Sequence, residues 1–191
     1  AAAINGNLGL LLGNKTAAFT LGSAIGTAAA TLIGLTATDL DGNGKVDAVG
    51  VHRLNQLGVS NVSVLQNRGV ATAPLFALTS AKTNQINPNA VGSGDFNRDG
   101  LGDVVVTNDV AATGKLTYLQ GASGAQLGDA GAAGSYDLDG MPTALAVADL
   151  DRDGLADVIV SRKSQLQWLA NQSDRTFAAP VVLVDLPDSA S

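Results

Sequence analysis

The chain carries one nine-residue, aspartate-rich segment three times, and this repetition limits its fold more than any other feature. The copies run Asp39-Leu40-Asp41-Gly42-Asn43-Gly44-Lys45-Val46-Asp47, Asp95-Phe96-Asn97-Arg98-Asp99-Gly100-Leu101-Gly102-Asp103 and Asp149-Leu150-Asp151-Arg152-Asp153-Gly154-Leu155-Ala156-Asp157, with starts 56 and 54 residues apart. A fixed period of this size marks a repeat architecture, in which one small unit recurs and buries its apolar face against its neighbours. The similarity reaches beyond the loops: Pro88 and Pro142 each stand seven residues before the first Asp, and Leu32 takes that place in the first copy.

Each segment is followed by an apolar run: Val46 to Val51, Val104 to Val106 and Val158 to Val160. After a polar gap comes a second strand-like run (Val62 to Leu65, Leu116 to Leu119, Leu166 to Leu169), then a turn and a last short run such as Pro180 to Val184. One repeat is therefore read as four short antiparallel strands in about 55 residues, the size of a propeller blade. Composition agrees, because all 17 acidic residues are Asp, none is Glu, and Gly is abundant; Asp and Gly favour turns over helices. The fold class expected is all-β, a single repeat domain over residues 1–191. Its repeats fall at 28–80 (loop 39–47), 81–135 (loop 95–103) and 136–187 (loop 149–157). Residues 7–27 read as the back half of a further repeat, since Leu10-Leu11-Leu12-Gly13-Asn14 through Phe19 matches Gln167-Trp168-Leu169-Ala170-Asn171 through Phe177 with one residue fewer in the turn. The total is about three and a half repeats.

The loops have the chemistry of a hard-cation site. Oxygen donors at positions 1, 3 and 5 lie on a tight curve, position 7 offers a backbone carbonyl, and glycine permits the bend. The candidate ligands are Asp39, Asp41, Asn43, Lys45 and Asp47; Asp95, Asn97, Asp99, Leu101 and Asp103; and Asp149, Asp151, Asp153, Leu155 and Asp157, where Lys45, Leu101 and Leu155 contribute carbonyls. All-oxygen donors without His or Cys select Ca2+, at three sites. An EF-hand is excluded, because it needs a bidentate Glu at position 12, where Gly50, Val106 and Val160 stand instead. Solvated Asp-Gly turns without metal compete for any one loop, but three copies in one phase favour metal, since ten clustered carboxylates would otherwise repel. Those ten aspartates exceed the net charge of −6, which leaves +4 on the remainder, and three divalent ions would bring the whole chain to neutrality.

On these loops and the Val/Ile-rich runs after them, the chain resembles the FG-GAP/VCBS repeat group over about residues 7–187. The resemblance implies a calcium-binding β-propeller of the kind seen in integrin α heads and some lectins, with the loop joining the first two strands of each blade.

Function classes narrow accordingly. With no Glu, no Cys and one His, no enzyme is expected, and His52, in the run after the first loop, reads as a packing or surface residue. The acidic balance argues against nucleic acid, and no apolar run approaches the roughly 18 residues of a membrane span. The absence of Cys removes disulfides, and the small residues Ala1-Ala2-Ala3 fit a chain exported and cleaved, so an extracellular or cell-surface location is expected. Asn14, Asn61 and Asn171 are sequon asparagines and candidate glycosylation sites, with Asn14 and Asn171 in the same repeat turn, read as exposed. The favoured reading is a calcium-stabilised structural or adhesive module that associates through open strand edges, head to tail, into a ring or filament of identical copies, against which stand a fragment of a longer propeller and a small irregular four-bladed ring. The alternative is a carbohydrate-binding, lectin-like propeller module. Against it, Trp168 and Tyr118 share a repeat position with Val64 and Leu11, which points to the core.

Overall fold

In the computed structural model the backbone is described for residues 2–4, 7–9, 11–13, 19–21, 25–26, 31–53, 59–69, 76–110, 113–128, 134–173 and 176–185, with side chains at 31–53, 62–69, 87–109, 113–128, 134–173 and 176–185. The described elements are strands and turns, paired antiparallel throughout. Three four-stranded sheets follow one another along the chain. The first holds β6 (Thr31–Thr38), β7 (Asp47–Arg53), β8 (Val59–Asn67) and β9 (Phe76–Ile86) in that order. The second holds β10 (Pro88–Gly94), β11 (Asp103–Val110), β12 (Thr113–Leu119) and β15 (Ser135–Leu138). The third holds β16 (Ala144–Ala148), β17 (Asp157–Arg162), β18 (Gln165–Leu169) and β19 (Val181–Asp185). Each Asp-rich loop joins the first two strands of its sheet, as the resemblance implies. The repeat boundaries shift, however: the expected junctions at 80/81 and 135/136 fall inside Phe76–Ile86 and Ser135–Leu138. The fourth strands of the first two sheets, Phe76–Ile86 and Ser135–Leu138, are less hydrophobically marked than the loops and their flanks, and this displaced the two boundaries.

Sheets pack face to face through alternating residues, as the two-residue period of a strand dictates. Val49 and Val51 of β7 and Val62 and Val64 of β8, with Leu40 of the first loop, form one core with Val104, Val106 and Leu119 of the second sheet. The opposite face of the second sheet (Val105, Leu116, Tyr118, with Phe96 and Leu138) forms another core with Val158, Val160, Leu169 and Phe177. Phe96 meets Tyr118 and Phe177 edge to face, with ring centroids 6.1 and 5.6 Å apart. Close approach of the second and third sheets requires Gly92, where a Cβ would lie 2.5 Å from Leu145 Cδ1 and 2.8 Å from Val147 Cγ2. Far from the loops, the Arg53 guanidinium donates to the Pro88 carbonyl at 3.3 Å and the Asn89 side chain to the Pro142 carbonyl at 2.8 Å, so the two equivalent prolines sit at successive sheet junctions.

Two features were not anticipated. A short hairpin, β13 (Gly121–Ala122) with β14 (Gln126–Leu127), interrupts the second sheet between its third and fourth strands and adds Ala125 and Leu127 to the first core. At the other end, the expected half repeat pairs locally. β2 (Asn7–Gly9) lies between β1 (Ala2–Ile4) and β5 (Ile25–Gly26), and β3 (Leu11–Gly13) pairs with β4 (Phe19–Leu21). The edges of β2, expected to lie open, are thus paired within the chain.

Candidate metal centre

The three loops share one hydrogen-bond scheme, which follows from their shared residues. At position 1 a carboxylate oxygen accepts from the N–H of the position-6 glycine: Asp39 from Gly44 at 2.7 Å, Asp95 from Gly100 at 3.0 Å and Asp149 from Gly154 at 3.0 Å. Those glycines have φ of 78°, 82° and 84°, a left-handed backbone that glycine adopts without strain. Position 3 accepts from the N–H of position 5 (Asp41, Asn97, Asp151), and position 5 from the N–H of position 7 (Asn43, Asp99, Asp153). These short-range bonds curl each loop, and in the first and third they bring carboxylates together, whereas Asp95, Asp99 and Asp103 of the second do not form such a group. Carboxylate oxygens of Asp39, Asp41 and Asp47 lie within 4.8 Å of one another in the first loop, and those of Asp149, Asp151 and Asp153 do so in the third. In the second loop Asn97 replaces the position-3 acid, and its Nδ2 donates to Asp99 Oδ2 at 2.9 Å.

Position 9 plays a part that sequence reasoning did not assign. Asp47, Asp103 and Asp157 are buried, and each clamps two strands: one oxygen accepts from the position-2 N–H (Leu40, Phe96, Leu150, each 3.0 Å). The other accepts from an N–H at or just past the end of the third strand (Asn67 at 2.6 Å, Gly121 and Asn171 at 2.8 Å). Burial raises the pKa of Asp47, offset in part by the Asn67 and Leu40 N–H groups, while the nearby Asp41 and Asp39 charges push the same way as burial. The Asp103 carboxyl is pushed up to about 6 by burial, against the lowering pull of the Gly121 N–H, the Tyr118 hydroxyl and the Phe96 N–H. These acids hold the loop closed as well as adding charge to it.

Further residues around the loops also escaped the sequence reading. Gln66 donates to Asp41 Oδ2 at 2.8 Å and Gln120 to Asp99 Oδ2 at 3.3 Å, from one repeat position whose recurrence was the available signal. Neighbouring loops are tied together as well. The Gly102 N–H donates to the Asp39 carbonyl at 2.7 Å, and the Arg98 guanidinium donates to the Asp153 and Gly154 carbonyls at 2.6 and 3.3 Å. In the second loop Asp95 Oδ1 is buried and has no hydrogen-bond partner among the described residues.

The glycosylation expectation is corrected at Asn171. Its side chain is only 4% exposed, and Nδ2, the atom that would carry a glycan, donates to the Phe96 carbonyl at 2.8 Å and the Ala156 carbonyl at 3.1 Å. The turn after the third strand is packed against the neighbouring loop, which is why the exposed reading fails. Asn14 and the side chain of Asn61 lie outside the described residues; the Asn61 backbone sits within β8, paired with His52 and Lys82. His52 is 2% exposed, a packing residue.

The described architecture defines an all-β repeat protein with Asp-rich loops at equivalent corners of successive sheets. Residues 95–160, from the first Asp of the second loop to the middle of β17, match the FG-GAP-like repeat, so the chain contains that repeat over this segment. No curated protein matches the chain. Among solved structures, a Photorhabdus luminescens Tc holotoxin pore aligns with 96% of this chain at 18% identity and a TM-score of 0.38, and the chain spans 11% of that protein's length. Among the described residues no helix is long and apolar enough to cross a membrane.

Proposed function

We propose that the chain is an extracellular structural or adhesive module of propeller type, rigidified by calcium in its three loops, assembling head to tail and performing no catalysis. The observation that carries the calcium reading is Asp95 Oδ1, a buried carboxylate oxygen with no hydrogen-bond donor among the described residues, in a loop whose other side-chain acceptors take backbone N–H groups or side-chain amides. A buried acceptor left bare costs roughly 1–3 kcal/mol, more when charged, and a cation removes that cost. The donor set is hard oxygen throughout, which fits Ca2+. The residues that would hold it are Asp39, Asp41, Asn43 and Asp47, then Asp95, Asn97, Asp99 and Asp103, then Asp149, Asp151, Asp153 and Asp157, with the carbonyls of Lys45, Leu101 and Leu155. Bound calcium would supply charge neutralisation. The chain's own contribution is to pre-curl the loops and to transmit their rigidity through the position-9 clamps into the second and third strands of each sheet.

Because such a site is assembled only in the folded chain, its binding free energy adds to folding stability. The test is thermal melting and calorimetry of Asp95→Asn, which keeps an acceptor for the Gly100 N–H and removes the charge. At calcium a hundredfold above Kd one site contributes about 2.7 kcal/mol, so the variant is expected to melt about 5–10 °C lower than wild type in calcium. In chelator it should melt no lower. Equal losses in both, or no heat on adding calcium to stripped protein, would reject the reading.

The glycan-binding alternative draws less support. Phe96, Tyr118 and Phe177 are buried in the second core with Tyr136 packed on it, which leaves Trp168 as the one aromatic with a described side chain outside that cluster. A glycan array read against Trp168→Ala separates the two.

A further inference from the structure

We infer that the outward face of the third sheet is a docking surface for the N-terminal half repeat, residues 7–27, of a second copy of this chain. The inference rests on the head-to-tail assembly proposed above and identifies the surface it uses. Each sheet presents the same face to its successor. On the first sheet Leu40, Val49 and Val64 are covered by Val104, Val106 and Leu119; on the second, Phe96, Val105 and Tyr118 are covered by Val158, Val160 and Leu169. On the third sheet the same repeat positions are Leu150, Ile159 and Trp168, and there the cover ends. Leu40 and Phe96 are 0% exposed, whereas Leu150 is 42% exposed. Ile159 and Trp168 are only half-buried, and Val181, paired with Trp168 across β18 and β19, is exposed. Two consecutive interfaces inside the chain thus specify what the third face is built to receive.

The occupant follows from what the covering sheets contribute. The third sheet brings Leu169 into the core and, two residues later, Asn171, whose side chain bonds the position-2 carbonyl of the loop it covers, that of Phe96. In sequence the half repeat offers Leu12 and, two residues later, Asn14 at those same repeat positions, within the apolar run Leu8 to Leu12. The corresponding carbonyl on the open face belongs to Leu150. The first sheet is not available as occupant, because Gly50, His52, Ser63 and Leu65, on its face away from the second sheet, are already buried. A glycan on Asn14 would take the nitrogen needed for docking, so modification and docking there exclude each other.

The experiment is sedimentation of the full chain in calcium over a range of concentrations, beside Leu150→Asp, Asn14→Ala, Arg152→Ala and, as control, Val46→Asp, an exposed residue away from this face. Wild type is expected to rise above 19.1 kDa with concentration. Leu150→Asp should weaken association at least tenfold with unchanged melting, and Asn14→Ala should weaken it too, while Val46→Asp and Arg152→Ala leave it intact. A photo-crosslinker at position 150 should capture residues 7–27 of a second copy. Wild type that stays monomeric overturns both docking and assembly. An oligomer indifferent to Leu150→Asp overturns the docking face and leaves assembly standing. Crosslinks confined to one chain overturn the second copy in favour of closure within the chain. Disruption by Arg152→Ala without any effect of Asn14→Ala overturns the half repeat in favour of a complete repeat, whose loop Arg152 would reach as Arg98 reaches Asp153. Calcium calorimetry on the same samples is read independently, so loss of the metal reading and loss of the docking reading are distinguishable.

Discussion

Asn171 and Phe96 lie 75 residues apart, yet the Asn171 side-chain amide donates to the Phe96 carbonyl at 2.8 Å and so fastens the third sheet to the second loop. The same nitrogen donates to Ala156, and Oδ1 accepts from the Ser173 N–H at 3.2 Å. Asn67 at the equivalent position also donates to its own loop, at the Val46 carbonyl, and its Oδ1 accepts from the Gly69 N–H. One residue type therefore closes the turn, braces the loop and, in the third repeat, where it is buried, crosses to the neighbouring sheet.

Replacing Asn171 by Ala strips two buried carbonyls of a donor, and about 2–3 kcal/mol should be lost, seen as a drop in denaturant midpoint at unchanged m-value. Asn171→Asp should cost more at neutral pH, because a carboxylate would then face two carbonyl oxygens. Intact mass of the chain expressed through a glycosylating secretory host should show no glycan at Asn171. A variant as stable as wild type, or a glycan found there, would contradict the packing described.

Gly92 is the tightest described sheet-to-sheet approach lined by apolar side chains, so Gly92→Val should destabilise by about 2–3 kcal/mol through overpacking. Gly92→Ala should lose less, since it adds only the Cβ and Leu145 Cδ1, the end of a flexible side chain, can turn aside, which leaves the contact with the stiffer Val147 as the remaining cost. Chemical denaturation of the two variants gives the order directly. The reverse order would mean that the second and third sheets stand further apart.

The loops and their flanking strands were legible because their information is local. Asp at 1 and 9, Asp or Asn at 3 and 5 and Gly at 6 set a backbone curl within nine residues, and the Val-rich runs after each loop alternate in register with it. What the sequence left unread depends on distant partners. Asn171 reads as a sequon until Phe96 is brought against it, and position 9 reads only as a ligand until the N–H groups of Asn67, Gly121 and Asn171, at or just past the end of the third strand, make it a clamp as well. The hairpin at Gly121–Leu127 has no counterpart in the other repeats, so periodicity could not announce it. The recurrence of Asn at positions 14, 67 and 171 was the signal for a structural role, visible in the sequence yet assignable only with the neighbouring loop in place.

Asp103 and His52 bend the pH dependence of stability in opposite directions. The Asp103 carboxyl titrates at about 6 in the metal-free fold against 3.8 for the ordinary carboxyl, so its stabilising contribution is complete below 3.8 and is lost as pH rises through 6. The loss is on the order of 3 kcal/mol. His52 is buried, its two ring nitrogens lack partners among the described residues, and burial lowers its pKa below 6.5. The folded state therefore resists its protonation: its contribution is intact above 6.5 and is lost as pH falls from there through the lowered value. In chelator, Asp103→Asn should flatten the decline in stability between pH 4 and 6, although it gives up one of the two N–H bonds and starts from a lower plateau. His52→Leu should gain stability at pH 5 relative to pH 8, because an unpaired buried ring is replaced by an apolar side chain. Calcium should abolish the Asp103 effect by holding the carboxylate ionised, and leave the His52 effect untouched. Denaturant midpoints across pH 4–8, with and without calcium, separate the two contributions. A His52→Leu profile parallel to wild type would show that the imidazole finds a partner in solution.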